Sequence, residues 1–372
     1  MKGLHGILFA YVSNIRLKEL TEMRTASSIP FGGRYRVVDF MLSNMVNAGV
    51  TDVGVIMREN YQSLLDHLGS GKDWDLARKR GGLRLLPPFA CAAVRRGDSA
   101  VYRGKLEALN AVAGYINYIR QDHVVLADAD LIVNLPLEEI FQKHLESGSD
   151  LTCVCSDINR GYDSDAYLRL DREGRVTEVL LSPFEEGVYP CIGVYILKRE
   201  LLANLMAESA AHNFVDFTRD VMQRMNDRLN LTAYIHYGFS ARLQSVADYF
   251  VQSMKLLDSK VRSDLFFRQR PIKTKVRDEA STYYGENSSV KNCVVADGCT
   301  LMGELENCIV FRGVHVEEGT VVKNSILMQG SQVGAGSDLA YVIADKEVKI
   351  GKGRSLRGHD TYPIALTKGA CV

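Results

Sequence analysis

VADGCTL at 295–301, VEEGTVV at 316–322, VGAGSDL at 333–339 and IGKGRSL at 350–356 each set two aliphatic residues six positions apart. In every case a glycine follows the first aliphatic by three places. These glycines, Gly298, Gly319, Gly336 and Gly353, recur at intervals of 21, 17 and 17 residues, close to three hexads per coil. Six-residue periodicity with glycine at the turns is the pattern of a parallel β-helix, whose aliphatics stack inward along flat faces. An ordinary sandwich of short strands gives no reason for a spacing of six. The reading is a β-helix of about four coils occupying 288–372.

Upstream the rule changes. TDVGVIM (51–57), HVVLA (123–127) and CIGVYIL (191–197) are short β-branched runs expected as buried strands. Segments 63–68, 106–119 and 246–257 carry apolar residues at helical spacing. Such alternation predicts an α/β domain over 1–260 with a largely parallel, helix-covered sheet. Residues 261–287 are polar with neither period and are expected as a linker. Cys153 and Cys155, two apart on an alternating run, are expected to share a strand face rather than bind metal.

The 372 residues carry 45 basic and 45 acidic side chains and are 46% hydrophobic. That is the balance of a globular protein with material for two domains. Zero net charge argues against a general nucleic-acid binder. No apolar run approaches the ~18–20 residues of a membrane helix. MKGLHGILFAYVSNIRLKEL has no cleavable signal pattern, so a cytoplasmic protein with eight reduced cysteines is expected. The charge is unevenly spread, however: residues 1–105 hold 16 basic and 9 acidic side chains. Concentrated positive charge is the usual basis of an anion-attracting surface; solvated runs such as Arg78-Lys79-Arg80 are the plainer explanation.

PFGGRYRVVDFMLSN at 30–44, followed by MVNAGVTDVGVI, resembles the glucose-1-phosphate adenylyltransferase (ADP-glucose pyrophosphorylase) family. There a near-identical Pro-Phe-Gly-Gly-Lys-Tyr-Arg-Ile-Ile-Asp-Phe segment occurs. Tyr102-Arg103-Gly104, Gly193-Val194-Tyr195 and the repeat tail fall in the family's order, so the resemblance spans essentially the whole chain. It implies an α/β nucleotidyltransferase domain, GT-A-like and Rossmann-like, followed by a left-handed parallel β-helix. The family reaction joins ATP and glucose 1-phosphate into ADP-glucose and pyrophosphate.

Position by position, the sequence departs from the catalysts. Their phosphate loop, Leu-Ala-Gly-Gly-x-Gly-x-Arg-Leu, aligns with Phe9-Ala10-Tyr11-Val12-Ser13-Asn14-Ile15-Arg16-Leu17. Tyr11, Val12 and Asn14 replace three glycines, where side chains would occupy the space a phosphate needs. The family's two magnesium aspartates align with Ala129 and Arg242, although Asp128 or Asp130 could substitute after a one-residue shift. The Glu-Lys-Pro lysine becomes Ser182, the Arg-Ala-Lys-Pro lysine becomes Ala26, and Gly-Thr-Ala-Asp-Ala reads Gly104-Lys105-Leu106-Glu107-Ala108. Removing one donor from a preorganised charged site typically costs ~10²–10³ in rate. Losing several together should leave little activity.

Other positions are retained. Gly32, Gly33 and Arg34 are candidates for anion binding through backbone amides and a guanidinium, or form a plain structural turn. Tyr102, Arg103 and Gly104 sit where the family contacts substrate, with packing as the alternative for Tyr102. Arg24 lies in a region where the family binds regulatory ligands, and is an effector-contact candidate or an exposed helix-end arginine. Trp74 is an interface anchor or a buried indole.

The pattern of losses resembles the family's GlgD-type subunit, companion of a catalytic GlgC-type subunit, as does HLGSGKDWDLARKRGGLRLLPP at 67–88. This implies a regulatory or activity-enhancing partner in a hetero-oligomer, expected as a tetramer, serving glycogen synthesis. No cofactor is expected, whereas active members use Mg²⁺; a sugar-phosphate or nucleotide effector is a further implied ligand. One alternative is a working adenylyltransferase using Asp128 or Asp130. Another is a hexapeptide-repeat acyltransferase, which needs a catalytic histidine at a coil interface; His315 and His359 are read as structural.

Overall fold

The computed structural model describes residues 3–11, 17–88, 102–157, 164, 166–181 and 187–372. The β-branched runs form the centre of a nine-stranded sheet. Leu4–Phe9 lies between Asp52–Ile56 and His123–Asp128, parallel to both, and Gly82–Leu86 extends this parallel half. The other half departs from the expectation. Tyr189–Lys198 runs antiparallel to both His123–Asp128 and Leu151–Ser156, and Leu231–His236 lies parallel to the latter. The sheet is therefore mixed. Tyr189–Lys198 is buried on both faces like its parallel neighbours, and strand direction leaves no mark on such a run.

Along Leu151–Ser156 the side chains alternate between two cores. Cys153 and Cys155 enter the one holding Tyr195 and Phe217, while Val154 enters the opposite one. Both thiols hydrogen-bond Cys191 on the adjacent strand. Helix Val37–Asn47, inside the family-like motif, is buried nearly all round. Val38, Met41, Leu42 and Met45 recur at helical spacing and face the sheet, whereas Val37 and Phe40 join the cluster that the first domain shares with the β-helix. Its first turn is fixed by Asp39, which accepts from the Arg36 N–H at 2.9 Å and pairs with His67 at 2.6 Å. Trp74 is fully buried, edge-on to His67 with ring centroids 5.5 Å apart, and serves the core rather than an interface.

The C-terminal domain is a left-handed β-helix of three parallel five-stranded faces. Five coils exceed the expected four because the first, from Tyr283–Tyr284 through Val294–Val295, lacks the aliphatic-glycine signature. Most corners turn on a left-handed residue. Gly319, Gly336 and Gly353 serve one corner; Gly298, Gly313, Gly330 and Glu347 serve another; Asn292, Asn307, Asn324 and Tyr341 serve the third. Gly298 thus belongs to a different corner from the three glycines with which its spacing groups it. The residues at 295–301 align with the coil turning at Gly313. Asparagine tolerates this conformation, and side-chain bonds link Asn292, Asn307 and Asn324 at 2.7 and 3.2 Å.

The two domains share one core. Leu20, Phe31, Val37, Phe40 and Tyr249 pack in a single cluster with Ile309, Phe311, Ile326, Met328 and Ile343. Segment 261–287, expected as a linker, begins inside helix Ser259–Leu265 and ends in the first coil. Between them it is strapped to the first domain: Lys273 N donates to Ser43 Oγ at 2.9 Å, Asn47 donates to Pro271 O at 3.1 Å, and Ile272 is buried. Polar composition here reflects a surface strap satisfied by side-chain bonds. Among the described residues no helix is long and apolar enough to cross a membrane.

Candidate functional site

In an open α/β sheet, ligands meet the C-terminal ends of the parallel strands. Phe9 and Asp128 end two such strands and pair in register. Ala129 follows, its N–H donating to Phe9 O at 3.0 Å and its methyl buried in the core, so it offers no ligand. The short strand Ser240–Arg242 pairs antiparallel with Leu131–Val133 and brings Arg242 over the same place. Arg242 Nη2 lies 2.5 Å from Asp128 Oδ2 and donates to Ile192 O at 3.3 Å, while its Nε is 3.7 Å from Asp130 Oδ1. Lys105 Nζ sits 3.0 Å from the same Asp128 oxygen and faces the rings of Phe9 and Tyr195. Two cations therefore meet two carboxylates, all four largely buried.

Gly193 is fitted to this arrangement. At φ +81° a Cβ would stand 2.2 Å from Asp128 Oδ2 and 2.6 Å from Arg242 Nη2. The ion cluster needs the space that a side chain would fill.

The family reaction implies Mg²⁺, a hard ion that needs carboxylate oxygens turned toward it. Asp128 presents one oxygen to both Lys105 and Arg242, and Arg242 reaches toward Asp130 as well. The positive charge a metal would supply is already built into the chain. The donor set does not fit the ion, and among the described residues no group of His, Cys, Asp or Glu is disposed to hold one. Asp128 and Asp130, the expected substitutes, are thus engaged by Arg242.

Tyr11 stands where the family resemblance puts the first glycine of the phosphate loop. It is buried, packed edge-on against Phe9 and Tyr102 with centroids 5.9 and 5.5 Å away, and Arg58 covers its ring. Burial, and next the Asp128 charge, push its hydroxyl well above the usual tyrosine range. Val12, Asn14, Arg16 and Ser182 lie outside the described residues. The triplet Tyr102, Arg103 and Gly104 divides. Tyr102 is buried packing; Arg103 points to solvent and pairs with Glu107; Gly104 fits beneath Val215, whose carbonyl oxygen would be 2.3 Å from a Cβ.

Gly32, Gly33 and Arg34 stand elsewhere, in the turn between Pro30–Phe31 and Tyr35–Arg36. Gly32 and Gly33 have φ +62° and +86°, and a Cβ on Gly33 would lie 3.6 Å from Ala296 Cβ on the β-helix. This turn forms one wall of an interdomain cleft of about 160 Å³. Arg34, Arg36, Lys275, Arg277, Arg312 and Lys346 line it, with Asp66 and His67. Burial, reinforced by Arg36 and Arg24, brings the Lys346 ammonium down to about 7, and burial lowers Arg36 to about 10. Crowded, partly desolvated cations of one sign form a site suited to an anion.

Arg24 does not line that cleft. It is buried in an ion pair with Asp345 of the β-helix and donates through Nε to Leu20 O at 2.8 Å. Neither the effector-contact reading nor the exposed one holds; Arg24 is an interdomain strut. Sequence reasoning missed Lys105 as a partner of Asp128, and it missed the cleft cations Lys275, Arg277, Arg312 and Lys346. They come from separate stretches that only the fold assembles, and no local signal marks them.

The family model described as nucleotidyl transferase matches residues 7–239, and one described as GlmU-like C-terminal hexapeptide matches 275–362. The chain is 35% identical over 95% of its length to the glycogen biosynthesis protein GlgD of Bacillus subtilis, covering 92% of that protein. It is likewise 35% identical to GlgD of Geobacillus stearothermophilus, over 85% of this chain and 82% of that one. Identity to the glucose-1-phosphate adenylyltransferase of Fervidobacterium nodosum is 26%, over 90% and 80% of the two chains. The chain therefore belongs to the nucleotidyl transferase family and, within it, with the GlgD glycogen biosynthesis proteins.

Proposed function

We propose that this chain is a regulatory subunit of ADP-glucose pyrophosphorylase in glycogen synthesis, with little or no transferase activity of its own. It acts in the cytoplasm, in a hetero-oligomer with a catalytic GlgC-type subunit, and binds neither nucleic acid nor membrane. The observation that carries this reading is the double engagement of Asp128 by Arg242 and Lys105. Nucleotidyl transfer requires positive charge that can follow the phosphates through the reaction; here that charge is fixed to a buried carboxylate. Tyr11, packed where the family places loop glycines, argues the same way. The interdomain cleft supplies what a regulator needs, an anion site that touches both domains, and a phosphate-bearing metabolite is its ligand in this reading.

The test compares this chain, the catalytic subunit, and the two coexpressed. We expect no ADP-glucose formation above background from this chain alone, and a changed rate, affinity or effector response in the coexpressed sample. Turnover by this chain alone, lost on changing Asp128 or Asp130, would establish instead a working adenylyltransferase. An unchanged partner on mixing would remove the companion role.

A further inference from the structure

The first two coils of the β-helix carry two cysteines at equivalent places. Val294 and Val295 pair in parallel with Ile309 and Val310, so Cys293 and Cys308, each preceding its strand, sit one above the other. The corner asparagines before them are already linked, Asn292 Nδ2 donating to Asn307 Oδ1 at 2.7 Å. The Cys308 N–H donates to Cys293 Sγ at 3.4 Å, while the Cys293 thiol donates to Lys291 O and the Cys308 thiol to Glu306 O, each at 3.2 Å. On the third coil the place is taken by Ser325, so the thiol pair is confined to the first two. Adjacent strands stand ~4.7–4.9 Å apart, inside the ~4.4–6.8 Å between Cα atoms that a disulfide spans. Cys293 is half-buried on the wall of an open surface hollow beside Arg262 and Asn292, whereas Cys308 is buried beneath it.

We propose that Cys293 and Cys308 are a redox-active dithiol that closes to an intrachain disulfide across the first two coils when it meets a low-molecular-weight disulfide. The Cys293 thiolate attacks one sulfur of the oxidant; the oxidant's S–S bond breaks and one small thiolate leaves. Cys308 then gives up its proton and attacks the Cys293 sulfur, displacing the second small thiol. Two electrons pass from the protein sulfurs to the oxidant, and the two protons lost end on the two released thiols. The division of roles follows from the surroundings. Hydrogen bonding from Cys308 brings the Cys293 thiol down to about 7, while its Cys293 neighbour, together with burial, holds Cys308 well above its usual range. Cys153, Cys155 and Cys191 are enclosed in the sheet, and exposed Cys371 is far along the chain from this pair.

The test treats the full chain with oxidised glutathione near neutral pH, alkylates it, and digests it with a glutamate-specific protease. Cleavage after Glu304 and Glu306 separates the two cysteines. The expected product is a linked pair of peptides lighter by two hydrogens than their sum, parted by a thiol reductant, with loss of alkylation at Cys293. Cys308→Ser should stop at a glutathione adduct on Cys293, and Cys293→Ser should leave Cys308 unmodified in the folded chain. Circular dichroism and the thermal midpoint establish that each variant is folded. An alkylatable Cys293 after oxidation overturns the proposal, as does an adduct at Cys293 of the unsubstituted chain that never passes to Cys308.

Discussion

Arg242 sets its guanidinium 2.5 Å from Asp128 Oδ2, joining the end of a central strand to a short strand 114 residues later. The same oxygen takes Lys105, so one carboxylate anchors two cations brought by different elements. Burying such charges is expensive, and the arrangement persists because each sign is matched. Taking one partner away leaves the others buried and unmatched.

Arg242→Met should therefore lower the free energy of unfolding by ~3–5 kcal/mol. It takes the guanidinium from both Asp128 and Asp130, while Lys105 still reaches Asp128. Lys105→Met should cost less, because Arg242 still reaches both carboxylates. Urea unfolding at neutral pH measures both. Equal stability in the variant and the unsubstituted chain would show that the cluster holds nothing together.

Gly193→Ala tests the same cluster from the backbone side. The new methyl meets Asp128 Oδ2 and Arg242 Nη2, and φ of +81° is strained for alanine. A loss of ~2 kcal/mol or more is expected. In Arg242→Met, where part of the obstruction is gone, the same change should cost less, so unfolding of the four chains should show a measurable coupling.

The hexad spacing was legible because it records inward stacking directly, residue after residue. Its register was not, because Gly298 and Gly319 serve different corners that pose the same φ requirement. The first coil escaped notice because Tyr283, Tyr284 and Val290 lack the glycine that marks the later ones. In the first domain the buried runs showed where strands lie, but Tyr189–Lys198 carried no sign of its direction. The losses at Ala129 and Arg242 were readable by position. That Arg242 and Lys105 would converge on Asp128 was not, since such pairing depends on the fold. Arg24 illustrates the limit: its partner Asp345 lies 321 residues away, and neither has a local pattern that points to the other.

Arg24 and Asp345 give a prediction about how the domains are joined. The pair is buried between the first domain and the β-helix. Asp345→Leu leaves an unmatched guanidinium and should destabilise the chain by ~3–5 kcal/mol. Adding Arg24→Met removes that charge, and the double variant should be more stable than Asp345→Leu alone. A double variant as unstable as the sum of its singles, in equilibrium urea unfolding, would mean that the two residues act separately.

Lys346 gives the pH dependence of the cleft. Its ammonium is lowered to about 7, by burial first and then by Arg36 and Arg24, with Asp345 opposing and Lys368 adding to the effect. His67, also on the cleft wall, is lowered by burial and stays neutral above its usual range. Because the unfolded chain keeps this lysine protonated up to about 10.4, it binds more protons than the folded chain above about 7. This residue's contribution to stability therefore rises with pH through that window. An anion in the cleft acts oppositely, since it favours the protonated lysine and takes up a proton on binding. Sulfate is the suitable probe because its own charge is constant here. Its affinity, measured by calorimetry, should fall as pH rises from about 6 to about 8, by up to roughly tenfold for ~1.4 kcal/mol of lost attraction. Proton uptake should appear as a dependence of the binding heat on buffer ionisation enthalpy. Lys346→Met should bind sulfate more weakly at the acidic end, lose most of the pH dependence, and unfold at higher urea concentration than the unsubstituted chain below about pH 7. Unchanged pH dependence in that variant would assign the titration to another group in the cleft.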